Sequence, residues 1–277
     1  MAHVEGGRRT TGAEVFAAGR LGFYGRYSGR IRGTLTFIFV MLLWEAVARY
    51  GVRDERILAP FSKVIIALVN LFLTGEVWKH LWVSGYEFSV GFLLAAVAGV
   101  AIGFLMGTVR VVRDYLDPWI SGLYTAPLVA LAPFFIMFFG VGLASKVALV
   151  FTVVVFPVIV NTSAGVYSVD PGMIEVARSF HASRLQILFK VLVPFSLSYI
   201  VTGLRLGVGR GLTGVVVGEF FFANAGLGFL VALAGQTFNT SLLFAGVLVF
   251  AAAGVALIGG LKRLEKRLAP WRVFELE

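Results

Sequence analysis

Three ionisable residues lie in or beside one long apolar run, Phe195 to Phe222: Arg205, Arg210 and Glu219. An ionisable group is costly to bury in lipid, so each is a candidate for meeting a charged solute. On a helix rising 1.5 Å per residue, Arg205 and Glu219 fall on nearly the same side but about 21 Å apart, and Arg210 faces away from Glu219. No direct pairing with Glu219 follows for either arginine. Arg205 and Glu219 are therefore the candidates for a translocation pathway. An arginine on such a pathway would attract an anion, yet it could equally bond to backbone carbonyls or snorkel to the inner interface. Both readings stand for Arg205, and Arg210 leans to the structural one.

Other chemistries find little support. Gly209-x-Gly211-x-x-Gly214 matches the dinucleotide fingerprint by letter, but it lies inside an apolar run instead of between a strand and an exposed helix start, so close helix packing is the better reading. No G-x-x-x-x-G-K-[ST] phosphate loop occurs, so ATP hydrolysis by that route must come from another polypeptide. His3, His80 and His181 are scattered, and there is no cysteine. We expect no metal site, no cofactor and no enzymatic activity in this chain.

The elements that carry these residues follow from composition. The chain has 277 residues, 58% hydrophobic and 14% charged, which points to helices apolar all round and therefore to a bilayer. Apolar runs at Thr34 to Tyr50, Ser84 to Val109, Pro118 to Gly140, Lys146 to Ser168, Phe195 to Phe222 and Leu242 to Leu261 predict an all-α protein with about six transmembrane helices. Between the first two, Phe61 to Leu73 reads as an interfacial helix. Small residues at Gly91, Ala95, Gly99, Gly103 and Gly107, and again at Gly203, Gly207 and Gly211, predict close helix packing. Glu45 and Glu87 fall near expected span ends, where a structural role is the default.

Three segments result: a cytoplasmic N-terminal stretch at 1–33, a transmembrane domain at 34–261 and a basic cytoplasmic tail at 262–277. The first apolar run begins only after about thirty polar, Gly-rich and basic residues, unlike a cleavable signal peptide. Most of the 24 Lys and Arg fall on one side if the N-terminus is inside, so both termini are expected in the cytoplasm. The +9 net charge then reports topology and contact with anionic lipid heads, with no sign of nucleic-acid binding.

The inner loop between the fourth and fifth runs, residues 169–194, reads as two short helices. Asp170 followed by Pro171 is an N-cap and first-turn proline, starting a helix that carries Glu175, Ala177 and Arg178. Ser183 with Gln186 has capping-box spacing and starts the second, which Pro194 is expected to close. A folded elbow of this kind suits docking of a soluble partner.

At these residues the chain resembles the permease subunits of binding-protein-dependent ABC importers, in the nitrate/sulfonate/taurine branch. The family's E-A-A-x-x-x-G…I-x-L-P signature appears as Glu175-Val176-Ala177, His181 in the glycine place, then Val191-Leu192-Val193-Pro194. Further landmarks include Asp117-Pro118, Phe139-Gly140-Val141-Gly142, Gly203-Leu204-Arg205 and Gly226-Leu227-Gly228. The resemblance implies that this loop is a coupling helix contacting an ATP-hydrolysing subunit through Asp170, Glu175, Ala177, Arg178, His181 and Ser183. It further implies a second permease copy, a solute-binding protein outside the cell and location in the inner membrane. His181 departs from the pattern. It suits a left-handed turn better than most residues, and a tolerated substitution in the turn is favoured over a polar contact with the partner or a pH response. Two rivals fit less well: an ion-coupled secondary transporter would ask for inverted repeats and paired intramembrane carboxylates, and an intramembrane enzyme for a catalytic constellation at depth.

Overall fold

The computed structural model describes residues 31–268. The cytoplasmic stretch expected at 1–33 thus lies almost wholly outside the described residues, as do His3 and residues 269–277 of the expected tail. Among the described residues every regular element is helical.

The chain divides into two compact units, residues 1–63 and 64–277. In the first, α1 (Ile31–Val52) is long and apolar enough to cross a membrane. Its last turn widens to a π-helix, Val47–Val52, and ends at Arg53 with φ 58°. Glu45 ties this unit together. It accepts hydrogen bonds from the Ser62 N–H at 3.0 Å and hydroxyl at 2.9 Å, and pairs with Arg49 at 2.6 Å. It thereby satisfies an orphan donor at the start of α2 (Phe61–Leu73), which has the bounds that the apolar periodicity predicts.

Three long helices carry the second unit: α3 (Glu76–Thr108), α6 (Leu143–Tyr167) and α9 (Val193–Phe222). The small residues of α3 are where α6 comes close. A Cβ on Gly91 would stand 2.7 Å from Val150, one on Gly99 2.8 Å from Val158 and one on Gly103 2.6 Å from Thr162. The partner advances in step with the glycine, so α3 and α6 run parallel. Along α9 the order reverses: Gly203 meets Asn161, Gly207 meets Val154 and Gly214 meets Val153, so α9 runs antiparallel to α6. The opposite side of α3 carries exposed Leu93 and Val97, as a lipid-facing surface should.

Parallel neighbours need a return crossing between them. It comes from α4 (Arg110–Thr125) and, after a 3-10 turn, α5 (Ala132–Phe139), two pieces bent by 87° at the break. Five uninterrupted spans and this bent one account for the six expected. The straight span read from Pro118 to Gly140 is therefore corrected to a broken one. Pro127 explains it: proline lacks an N–H and disfavours helix at the residue before it, and Ala126 is extended with ψ 147°.

Two further helices follow α9. The apolar α10 (Leu227–Gln236) is too short to cross and went unread in the sequence. The last helix, α11 (Thr240–Leu268), continues past the expected span end at Leu261, with Lys266 and Arg267 in its final turn, where cations complement the helix dipole.

Candidate functional site

The loop expected to couple to a partner forms an elbow built by strong local signals. Asp170 accepts from the Gly172 N–H at 2.8 Å and Pro171 opens α7 (Pro171–Ser179). The helix ends in a Schellman turn: the His181 N–H donates to the Arg178 carbonyl at 2.8 Å and the Ala182 N–H to that of Ala177 at 3.1 Å. His181 holds φ 57°, the left-handed conformation that glycine takes most easily. Ser183 and Gln186 then close both hydrogen bonds of a capping box, at 2.7 and 3.3 Å, to start α8 (Arg184–Ile187).

Inside and outside of the elbow are distinct. Val166, Val169, Ile187 and Leu192 form a buried cluster, against which Ile174, Ala177 and Ala182 pack. Ala177 is thus small because it sits on the elbow's own core. The outer surface carries Glu175, Arg178, His181 and Ser183 and exposes Met173, Val176 and Phe180, the last 81% exposed. An apolar patch ringed by charges is what a protein partner would cover.

Pro194 does not close the second helix, contrary to expectation. From α8 the chain passes through a π-helical turn, Leu188–Leu192, directly into α9, giving one continuous helix over Arg184–Phe221. The wider π-turn relieves the clash that a proline makes with the preceding turn. The elbow is therefore joined to a membrane helix without an intervening loop.

Arg205 and Arg210 are set apart from Glu219, each with its own partners, whereas Glu219 lies beside Glu87 and Lys146. Glu219, 1% exposed, accepts from the Ser84 hydroxyl at 2.6 Å and the Gly228 N–H at 2.5 Å. Ser84 in turn accepts from the Leu227 N–H at 2.8 Å, and His80 Nδ1 from the Gly226 N–H at 3.0 Å. Three side chains from α3 and α9 thus satisfy the first donors of α10, and a carboxylate at that end suits the helix dipole. Gly228 must lack a side chain, because a Cβ there would stand 2.8 Å from Glu219. Arg205 pairs with Glu265 of α11. Arg210 stacks its guanidinium 4.3 Å from the Tyr124 ring centroid and donates to the Tyr124 carbonyl at 3.2 Å. The structure does not bring Arg205 and Glu219 together.

Sequence reading passed over one buried ion pair, Lys146 to Glu87 at 2.6 Å, which joins α6 to α3. Both residues were read as lying at span borders, because the second span was started at Ser84 and not at Glu76, and the fourth at Lys146 and not at Leu143. Extending the second span to its true start would have put Glu87 at depth and in need of a cation.

Comparison with known proteins agrees with this architecture. Residues 95–270 match the family described as "Binding-protein-dependent transport system inner membrane component". The chain is 34% identical over 244 residues to the putative aliphatic sulfonates transport permease protein SsuC of Bacillus subtilis (strain 168), covering 88% of each. It is 34% identical over 241 residues to the taurine transport system permease protein TauC of Escherichia coli (strain K12), covering 85% of this chain and 88% of that one. Among solved structures, a chain of the MetNI methionine ABC transporter superposes with a TM-score of 0.59 at 17% identity, covering 69% of this chain and 95% of that one.

Proposed function

The chain belongs to the family of binding-protein-dependent transport system inner membrane components, the permease subunits of ABC importers, and from that premise we propose how it works. It pairs with a second permease copy, receives solute from a binding protein outside the cell and is driven by a separate ATP-hydrolysing subunit in the cytoplasm. The observation that carries this reading is the elbow: an exposed apolar and charged knob joined without a loop to a membrane-spanning helix.

In this cycle the ATP-bound motor closes around the elbow at Asp170, Glu175, Arg178, His181 and Ser183, with Ala177 supporting that surface from beneath. The displacement passes along α8 into α9 and favours the outward-open arrangement of the bundle; hydrolysis returns it. Six crossings bring the chain back to the side from which it started. The basic residues on the elbow and at the end of α11 favour the cytoplasm for that side. Arg205 and Glu219 act beside the pathway as ties between helices, since the charge of each is met within the chain. The solute class we propose is a small anion such as a sulfonate, taurine or nitrate, in keeping with what the sulfonate and taurine relatives are named for.

The test is isolation of the chain from its native membrane. An ATP-hydrolysing subunit should accompany it, and proteoliposomes holding the complex and its binding protein should accumulate solute only with ATP. Uptake driven by an ion gradient without ATP would overturn the reading.

A further inference from the structure

Of the two arginines in α9, only one has its charge met by a carboxylate. Arg205 is paired with Glu265; among the described residues no carboxylate pairs with Arg210. A guanidinium offers five N–H donors, and here one of them is engaged, by a carbonyl. That carbonyl belongs to Tyr124, in the last turn of α4, where the break at Pro127 leaves acceptors without helical partners. The Tyr124 ring beneath the guanidinium carbon holds the group in place, and its remaining N–H donors are open to a ligand.

The same break opens a cavity of about 180 Å³, lined by Pro127, Leu128, Val129, Val153, Arg210 and Thr213. Its depth follows from Val153, ten residues into α6, about 15 Å from one end of a helix roughly 36 Å long. The cavity is therefore close to the middle of the bilayer. Irregular backbone is tolerated at such depth only where protein or a water-filled cavity covers it, and an unneutralised arginine there marks a pathway in preference to a lipid contact.

We infer that Arg210 and the cavity at the broken third span bind the anionic head of the transported solute as it passes through the membrane. The chemistry selects the ligand. A planar fork with free donors suits a sulfonate, carboxylate or nitrate oxyanion, which accepts two parallel hydrogen bonds. The volume is more than ten times the roughly 10–15 Å³ that a single water needs, enough for that head on a chain of a few carbons. Leu128, Val129 and Val153 offer such a chain an apolar wall. A lysine would keep the charge but lose the fork and the ring stacking. The assignment rests on the importer reading above and adds that the permease itself, apart from its binding protein, recognises charge.

The test uses the whole permease and ATPase complex in lipid nanodiscs, without binding protein, and measures equilibrium binding of radiolabelled ethanesulfonate. Wild type should bind it, and unlabelled ethanesulfonate should displace the label while uncharged ethyl methyl sulfone does not. R210M should weaken binding about tenfold to a hundredfold and R210K by less, as expected for loss of charge-assisted hydrogen bonds. T213L, which narrows the cavity while leaving the arginine in place, should also weaken it. Gel filtration with the ATPase subunit checks assembly; should R210M fail to assemble, R210K and T213L decide. Equal binding by wild type and the assembled variants, displacement by the sulfone, or no binding by wild type would overturn the site. ATP-driven uptake by wild-type proteoliposomes separates this from the parent reading: anion accumulation without an Arg210-dependent signal removes the site alone, whereas a complex that accumulates no anion removes the proposed solute class.

Discussion

Lys146 and Glu87 show how much a single buried pair matters in this bundle. Both side chains are nearly fully buried and they meet at 2.6 Å. Replacing Lys146 by methionine leaves a carboxylate without its cation, at a cost of about 3–5 kcal/mol. Replacing Glu87 by leucine in the same chain should recover most of it. Thermal unfolding of the purified protein in detergent would show K146M melting well below wild type and the double variant returning towards it. His181 works in the other direction. Held at φ 57°, it carries the strain of a left-handed side chain, about 1–2 kcal/mol. H181G should therefore stabilise the elbow by up to about 1 kcal/mol, after allowing for the greater freedom of glycine in the unfolded chain. Slower proteolysis between α7 and α8 would report it.

The helices were largely legible in the sequence because their causes are local. Asp170-Pro171 and the Ser183 capping box fix helix starts within a few residues, and both appear with the expected hydrogen bonds. Likewise, the four-residue spacing of glycines in α3 announces a close neighbour, and that neighbour is α6. What stayed hidden depends on tertiary context. The break at Pro127 lies within an unbroken apolar run, the π-turn absorbs Pro194, and α10 is too short to read as a span. The Ser84 partner of Glu219 and the Lys146 partner of Glu87 sit more than fifty residues away in sequence, beyond the reach of any spacing rule. The zipper gives a sharp prediction. A Cβ at Gly103 would stand 2.6 Å from Thr162, whereas one at Gly85 meets nothing within 4 Å. G103L should force α3 from α6 and cost at least about 1–3 kcal/mol, while G85A should cost nothing and stabilise by up to about 1 kcal/mol, as alanine does inside a helix. Yield of monodisperse protein and its melting temperature would distinguish the two.

For the whole molecule, the proposed cycle joins two parts that must answer to each other: an elbow proposed to meet the motor and a bundle, with its broken span and parallel helices, proposed to hold the pathway. The continuous helix from Arg184 to Phe221 links them, so a push on α8 reaches the membrane directly and one on α7 reaches it through the turn at His181. The exposed Val176 and Phe180 flank Glu175 on the outer surface, apart from the elbow's own core, so changing them tests docking without disturbing the fold beneath. The most direct measurement is co-purification of the ATPase subunit with the E175K/V176D variant, together with ATP-driven solute uptake by the reconstituted complex. The account predicts that the variant inserts in the membrane and elutes as a folded protein but loses its ATPase partner and its uptake. Retention of both at wild-type levels would contradict it.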